Sequence, residues 1–308
     1  IHEGLKIPWS VRALRVQVPP WAPMVGIRTR IAPTPSGYLH VGNGLNFLLA
    51  HAIARESGGT VLLRIDDLDA ERTRPAYVED IFESLHWLGI TWDEGPRDAV
   101  DFARNWSQTG RMGPMYNMLE RLRDMGVLFA CICSRKELAG CTCRDQGLSF
   151  DATGTTWRLR VPAPCPVVIN DLIGGSTTVD LNTLMPDPVL RQRNGSPAYQ
   201  LASLADDLRF GINVIVRGED LLPSTACQLY LAALLAEHGF LDVMFLHHPL
   251  ITDDQGRKLA KSEGADSLRT MRSGGISPDQ LKRDAADLLA RLRDRCTSPG
   301  QRFKRGRT

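Results

Sequence analysis

The chain has 308 residues, 43% apolar and 23% charged, with a formal net charge of +2. This is the composition of an ordinary soluble globular protein. It excludes nucleic-acid binding through overall basicity, so any such partner would have to be held by local patches. No apolar run approaches the length of a membrane span, which excludes a helix crossing a bilayer.

Seven cysteines are present: Cys131, Cys133, Cys141 and Cys143 cluster, while Cys165, Cys227 and Cys296 are scattered. An odd count without a secretory signal points to a reducing compartment, and a cytoplasmic protein is expected. Residues 1 to about 27 carry Pro8, Pro19, Pro20 and Pro23 and no sustained period. An extension without a stable fold is expected there, with Met24 as a natural initiator. A Rossmann-like core over 28–105 and 194–250 is expected to follow, interrupted by a module at 106–193.

Arg30, Ile31 and Ala32 read as a short strand that breaks at Pro33 and Pro35 and turns at Ser36 and Gly37. Beyond His40, Gly42 and Asn43 a helix is predicted, because Leu45, Leu48, Leu49, Ala52 and Ile53 share one face of a 3.6-residue period. A strand, a small-residue turn and a helix start aim unpaired N–H groups and a positive helix end at the turn, where a phosphate is the usual guest. Val61 to Ile65 is a buried-strand signal ending in Asp66, Asp67 and Asp69, so the first helix joins two parallel strands. Ligands of such sheets lie beyond the carboxyl ends of the strands.

Helices are expected around Val78–Leu85 and Met115–Met125. The module at 106–193 breaks the rhythm with short strand candidates at Trp157–Val161, Val167–Ile169 and Thr177–Leu181. The αβ order then resumes with a helix at Ala198–Leu208, the strand Ile212–Arg217, a buried helix at Pro223–Glu237 and the strand region from Phe245. A lysine-bearing loop and a last helix make up 251–295. Ser277 and Pro278 open that helix with Gln280 placed for a capping box, and Leu281, Ala285, Leu288, Leu289 and Leu292 form its apolar face. The tail at 296–308 is basic and reads as disordered, and no internal repeat is visible. Cys131-x-Cys133, seven residues, then Cys141-x-Cys143 is tetrahedral zinc spacing, so one structural Zn²⁺ is expected.

The His40 turn and the loop holding Lys258 and Lys261 together resemble the paired signatures of class I aminoacyl-tRNA synthetases, His-x-Gly-His and Lys-Met-Ser-Lys-Ser. The stretches Arg30–Gly37, Leu63–Asp69, Leu88–Pro96 and Val216–Asp220 look like the glutamyl branch, over about residues 28 to 275. The resemblance implies a doubly wound parallel sheet and a ligase that activates glutamate with ATP and Mg²⁺. It also implies His40, Gly42, Asn43, Lys258, Lys261 and Ser262 on ATP, with His40 and the two lysines in the catalytic role. Arg30 and Arg217 would hold the glutamate carboxylates, Asp66 its ammonium, and Ala32, Thr34 and Tyr199 would line the pocket.

Only about 45 residues follow Ser262, where a discriminating glutamyl enzyme carries a large helical anticodon-reading part. The chain is therefore similar to the short paralogues, the glutamyl-Q tRNA(Asp) synthetases. That likeness implies transfer of glutamate to the queuosine base of tRNA(Asp) by a monomer. Asn43 replaces the second histidine of the signature, Asp66 stands for a glutamate, Ala260 removes a hydroxyl, and Cys141 replaces a zinc-binding tyrosine. The rival expectations are a truncated glutamyl-tRNA synthetase, a non-catalytic tRNA-binding paralogue and a plain nucleotidyltransferase.

Overall fold

A computed structural model describes residues 26–250 and 267–297. The expectations for residues 1–25, for the lysine loop at 251–266 and for the tail beyond 297 lie outside the described residues. The strands are β1 (Arg28–Ile31), β2 (Thr60–Leu63), β3 (Leu128–Cys131), β4 (Thr156–Leu159), β5 (Pro166–Asp171), β6 (Gly175–Asp180), β7 (Val189–Arg191), β8 (Val214–Gly218) and β9 (Met244–His248). The longer helices are α1 (Val41–Glu56), α2 (Pro75–Trp87), α3 (Gly113–Asp124), α4 (Tyr199–Arg209), α5 (Leu222–Leu234), α6 (Leu268–Ser273) and α7 (Asp279–Thr297).

The predicted βαβ unit is present: β1 and β2 pair in parallel, Arg30 opposite Leu62, with α1 between them. Asn213 stitches β8 to β1, its N–H donating to Arg28 O at 3.0 Å and its side chain accepting from Arg28 N at 2.7 Å. From β8 the sheet continues in parallel to β9, with Arg217 opposite His247. Successive strand residues alternate between two apolar clusters. Val61 and Leu63 pack with α1 and α2 while Leu62 packs on the other side, and Val214 and Val216 are separated from Ile215 in the same way. Period-2 alternation between two cores means that both faces are covered, which is why these strands read as continuous apolar runs.

Two features depart from the sequence expectation. First, β5 and β6 fall inside the span expected as an insertion, yet they join the main sheet, β5 through Asp171 opposite Phe245 of β9 and β6 antiparallel to β5. The four-stranded sheet β6-β5-β9-β8 is therefore mixed rather than all parallel, β1 and β2 form a two-stranded parallel sheet beside it, and β3, β4 and β7 form a separate antiparallel sheet. A short strand with alternating burial carries no mark of which sheet it will join. Second, Gln280 forms no capping box; it donates to Asp284 Oδ1 at 2.8 Å, while Ser277 Oγ accepts from Asp279 N. Gly95 has φ +113°, and a Cβ there would sit 2.2 Å from Leu63 O, so only glycine lets this turn close against β2.

Candidate active site

The two strands and two helices that meet at the carboxyl ends of the sheet bring charged residues together underneath it. Arg64, just beyond β2, is buried, and it donates from Nε and Nη2 to the two oxygens of Asp66 at 2.7 and 3.0 Å. Its Nη1 reaches Asp207 Oδ1 at 2.7 Å, and Arg30 Nε reaches the same oxygen at 3.1 Å. Arg111 holds Asp206 through the same fork, Nε to Oδ1 at 2.9 Å and Nη2 to Oδ2 at 3.0 Å. Gln108 joins in by donating to Asp206 Oδ2, and Asp67 accepts from Gln108 N and Ser107.

Buried charges survive only when paired and hydrogen-bonded. Burial pushes the Asp207 carboxyl up, but Arg64, Arg30 and Arg217 more than offset this and hold it below the ordinary carboxylate range. Asp66 goes the other way: burial raises it, with Asp206 and Asp207 adding to the effect, and Arg64 only partly compensates.

Arg217, on β8, breaks the pattern. Only 2% of it is exposed, and its Nη1 donates to Thr225 Oγ1 at 3.3 Å and Gln228 Oε1 at 3.1 Å. Its Nε and Nη2 have no partner among the described residues. Those two atoms are the edge through which Arg64 and Arg111 each grip a carboxylate. Burial pushes the Arg217 guanidinium down to about 10, with Tyr199 acting upward and Arg30 downward, so it remains a cation at neutral pH. A buried, charged, bidentate donor edge fits a planar carboxylate.

The remaining expected residues lie around this centre. Ala32 is half-buried and Thr34 exposed on the turn after β1, where Pro33 O accepts from Asp66 N at 2.9 Å. Tyr199 opens α4 and is 41% exposed. His40 is the N-cap of α1; its backbone N–H donates to Asn43 Oδ1 at 3.1 Å, and a Cβ on Gly42 would lie 3.0 Å from the His40 ring.

Lys258, Lys261 and Ser262 lie outside the described residues, but the segments on either side of their loop converge on α1. His248 reaches Asn46 Oδ1 at 3.1 Å, and Ser267 pairs with His40 in an antiparallel bridge. Leu268 N also donates to Leu39 O at 2.8 Å. Arg272 then clamps α6 to α2 through Asp80 and Ser84, both at 3.0 Å.

The four clustered cysteines come together at the end of β3, with all four sulfurs within 4.8 Å of one another. Cys131 and Cys141 are 3.7 Å apart, and Cys133 and Cys143 are 3.6 Å apart. A zinc–sulfur bond of about 2.3 Å gives a tetrahedral edge of about 3.8 Å, so the donor set fits that ion. Hydrogen bonds with Cys141 and Cys143 push the Cys133 thiol up to about 12. Four thiolates at this spacing need a cation between them.

Residues 26–149 and 142–281 match the family model for the catalytic domain of class I tRNA synthetases (E and Q). The chain belongs to this family. It is therefore a ligase of the aminoacyl-tRNA synthetase type. A curated relative, the glutamyl-Q tRNA(Asp) synthetase of Prochlorococcus marinus (strain MIT 9303), is 39% identical over 83% of this chain and 79% of its own length. The glutamate–tRNA ligase 2 of Ruegeria sp. (strain TM1040) is 34% identical over 86% of this chain and 60% of its own. Among solved structures, the glutamate-tRNA synthetase of Elizabethkingia anophelis matches with a TM-score of 0.65 at 27% identity, over 82% of this chain and 54% of the other. The chain thus spans about half the length of that solved synthetase.

Sequence reading missed the residues beneath the site: Arg64, Gln108, Arg111, Asp206, Asp207, Thr225 and Gln228. A signal for two of them exists. Asp206 and Asp207 fall among the buried positions of α4, beside Leu201, Leu204 and Ala205. Charges on a core-facing helix surface need partners, which implies buried cations opposite.

Proposed function

We propose that the chain activates glutamate with ATP to glutamyl-adenylate and transfers the glutamyl group to the queuosine base of tRNA(Asp). The observation that carries the activation step is the Nε/Nη2 edge of Arg217, which has no partner among the described residues and belongs to a buried cation shaped for a carboxylate. Arg30, held from below by Asp207 and the Val216 carbonyl, is the second cation for an amino-acid substrate with two carboxylates. On this reading Asp66 takes the ammonium, and Tyr199, Ala32 and Thr34 line the pocket.

The reaction needs no nucleophilic side chain. The glutamate α-carboxylate attacks the α-phosphorus in line and pyrophosphate leaves, so the protein's contribution is positioning and charge stabilisation. His40 and the α1 N-terminus at Gly42 and Asn43 would donate to the phosphates, where bound Mg²⁺ would supply further charge neutralisation. Lys258, Lys261 and Ser262 lie outside the described residues; the role proposed for them, cations and a hydroxyl for the leaving pyrophosphate, rests on the family signature, and the described segments on either side of them meet α1. Cys131, Cys133, Cys141 and Cys143 would hold one Zn²⁺ that closes the module around β3 and takes no part in the chemistry.

The acceptor assignment rests on relatives that are 36–40% identical and named for that activity. The test is acceptor choice. Glutamate-dependent pyrophosphate exchange is expected without tRNA, and labelled glutamate should load onto tRNA(Asp) carrying queuosine but not onto tRNA(Asp) lacking it. Loading of tRNA(Glu) instead would give the chain the activity in the name of the Ruegeria relative.

A further inference from the structure

Three residues behind Arg217 form a hydrogen-bonded chain with a defined direction. Asp171 Oδ2, at the end of β5, accepts from His247 N at 3.0 Å and lies 2.7 Å from His247 Nδ1. His247 Nε2 lies 2.8 Å from Thr225 Oγ1 on α5, and Thr225 Oγ1 accepts from Arg217 Nη1. Burial raises the Asp171 carboxyl, but the hydrogen bonds from His247 and from the Gly174 and Ile173 N–H groups more than offset this and hold it below the ordinary range. An ionised carboxylate only accepts, so Nδ1 carries the proton, and the neutral tautomer that this selects presents Nε2 as an acceptor. The single Thr225 proton then goes to Nε2 rather than to the Leu221 carbonyl at 3.3 Å. Its lone pairs are left facing Arg217. Gln228 is oriented by the same logic: a guanidinium only donates, so the amide atom facing it is oxygen.

We propose that Asp171, His247 and Thr225 act as a one-way positioning relay which, with Gln228, anchors Nη1 of Arg217 and so turns the opposite edge of the guanidinium toward the substrate carboxylate. None of the four touches the reacting atoms; each acts through Arg217. Thr225 is fully buried, so the resemblance of Asp–His–Thr to a nucleophilic triad does not make its hydroxyl a nucleophile. The inference deepens the proposed function and rests on Arg217 binding glutamate. The β5–β6 hairpin acquires a purpose through it, because that hairpin carries Asp171 into the main sheet beside β9.

The experiment is glutamate- and ATP-dependent pyrophosphate exchange on Thr225→Val, Thr225→Ser, Asp171→Asn and Arg217→Lys, each with a thermal melt. Thr225→Val and Asp171→Asn should raise KM for glutamate at least about tenfold, the cost of mispositioning one charged hydrogen bond, with KM for ATP moving less than about twofold. Thr225→Ser, which keeps the hydroxyl, should restore the glutamate KM to within about threefold of wild type. Equal rises in both KM values, or a normal glutamate KM in a folded Thr225→Val protein, overturns the relay. If Arg217→Lys itself leaves the glutamate KM unchanged, the binding role of Arg217 fails as well. If Arg217→Lys raises it while Asp171→Asn and Thr225→Val do not, the relay alone fails.

Discussion

Two arginines in this site should respond very unequally to the same substitution. Arg64 is gripped by Asp66 and Asp207, so Arg64→Met leaves Asp66 buried without its partner and Asp207 with Arg30 alone. Breaking a buried pair in this way costs about 3–5 kcal/mol. For Arg217 the terms nearly cancel. Burial pushes it down to about 10, which corresponds to about 3 kcal/mol of charge solvation not recovered on folding. Arg217→Met removes that penalty and removes two hydrogen bonds, to Thr225 at 3.3 Å and Gln228 at 3.1 Å, each long enough to sit at the low end for a charged donor, about 1.5 kcal/mol. The net change is within about 1 kcal/mol. At about 2–4 °C per kcal/mol for a chain of this size, Arg64→Met should melt roughly 6–20 °C below wild type and Arg217→Met within about 4 °C of it. Glutamate at a hundred times its Kd should stabilise the wild type by about 2.7 kcal/mol and leave Arg217→Met unmoved. Differential scanning calorimetry with and without glutamate reads both effects. If Arg217→Met melts as low as Arg64→Met, the Arg217 edge is part of an internal pairing and the argument from its unmatched charge is wrong.

Three further outcomes follow from the same chemistry. Asp207 is held below the ordinary carboxylate range, so its contribution to stability is complete above about pH 4 and is lost as pH falls through its folded value; urea midpoints should drop on that acid limb in wild type and drop less in Asp207→Asn. Reductively purified protein should contain about one equivalent of zinc by atomic emission, Cys143→Ser should lower it below about half, and chelation should reduce the melting temperature. Lys261→Ala should cut pyrophosphate exchange at least about a hundredfold through loss of a charge-stabilising donor, and near-normal exchange would remove the lysine loop from the mechanism.

Much of this architecture is written in local pattern. The β1–α1–β2 unit, the αβ return at α4 to β9 and the cysteine cluster each follow from periodicity or spacing within a short window. What escaped was non-local. The pairing of β5 with β9 joins residues 74 positions apart in the chain, Asp171 and Phe245, and nothing in an alternating strand specifies a partner. The expected capping box at Gln280 failed for a different reason, since a glutamine side-chain oxygen accepts from its own N-cap N–H only when no better donor lies within reach. Here Arg283 is that donor, its Nη2 reaching Gln280 Oε1 at 2.8 Å.

The site shows the same division, and there it matters for function. Arg30, Asp66 and Arg217 were marked by the family resemblance, and the structure puts Arg30 on β1, Arg217 on β8 and Asp66 just past β2. The residues that hold them were not, because Asp207, Thr225 and Gln228 sit on core-facing helix positions where a polar side chain contradicts the local apolar pattern. A sequence that is locally consistent everywhere would have no such positions. Burial of Arg217 leaves about 3 kcal/mol of charge solvation unrecovered in the fold. On the proposed role of Arg217 a bound carboxylate would offset that cost, and so a substrate amide, which offers one acceptor where the fork expects two, should bind more weakly than glutamate by the value of one charged hydrogen bond, about 1.5–3 kcal/mol.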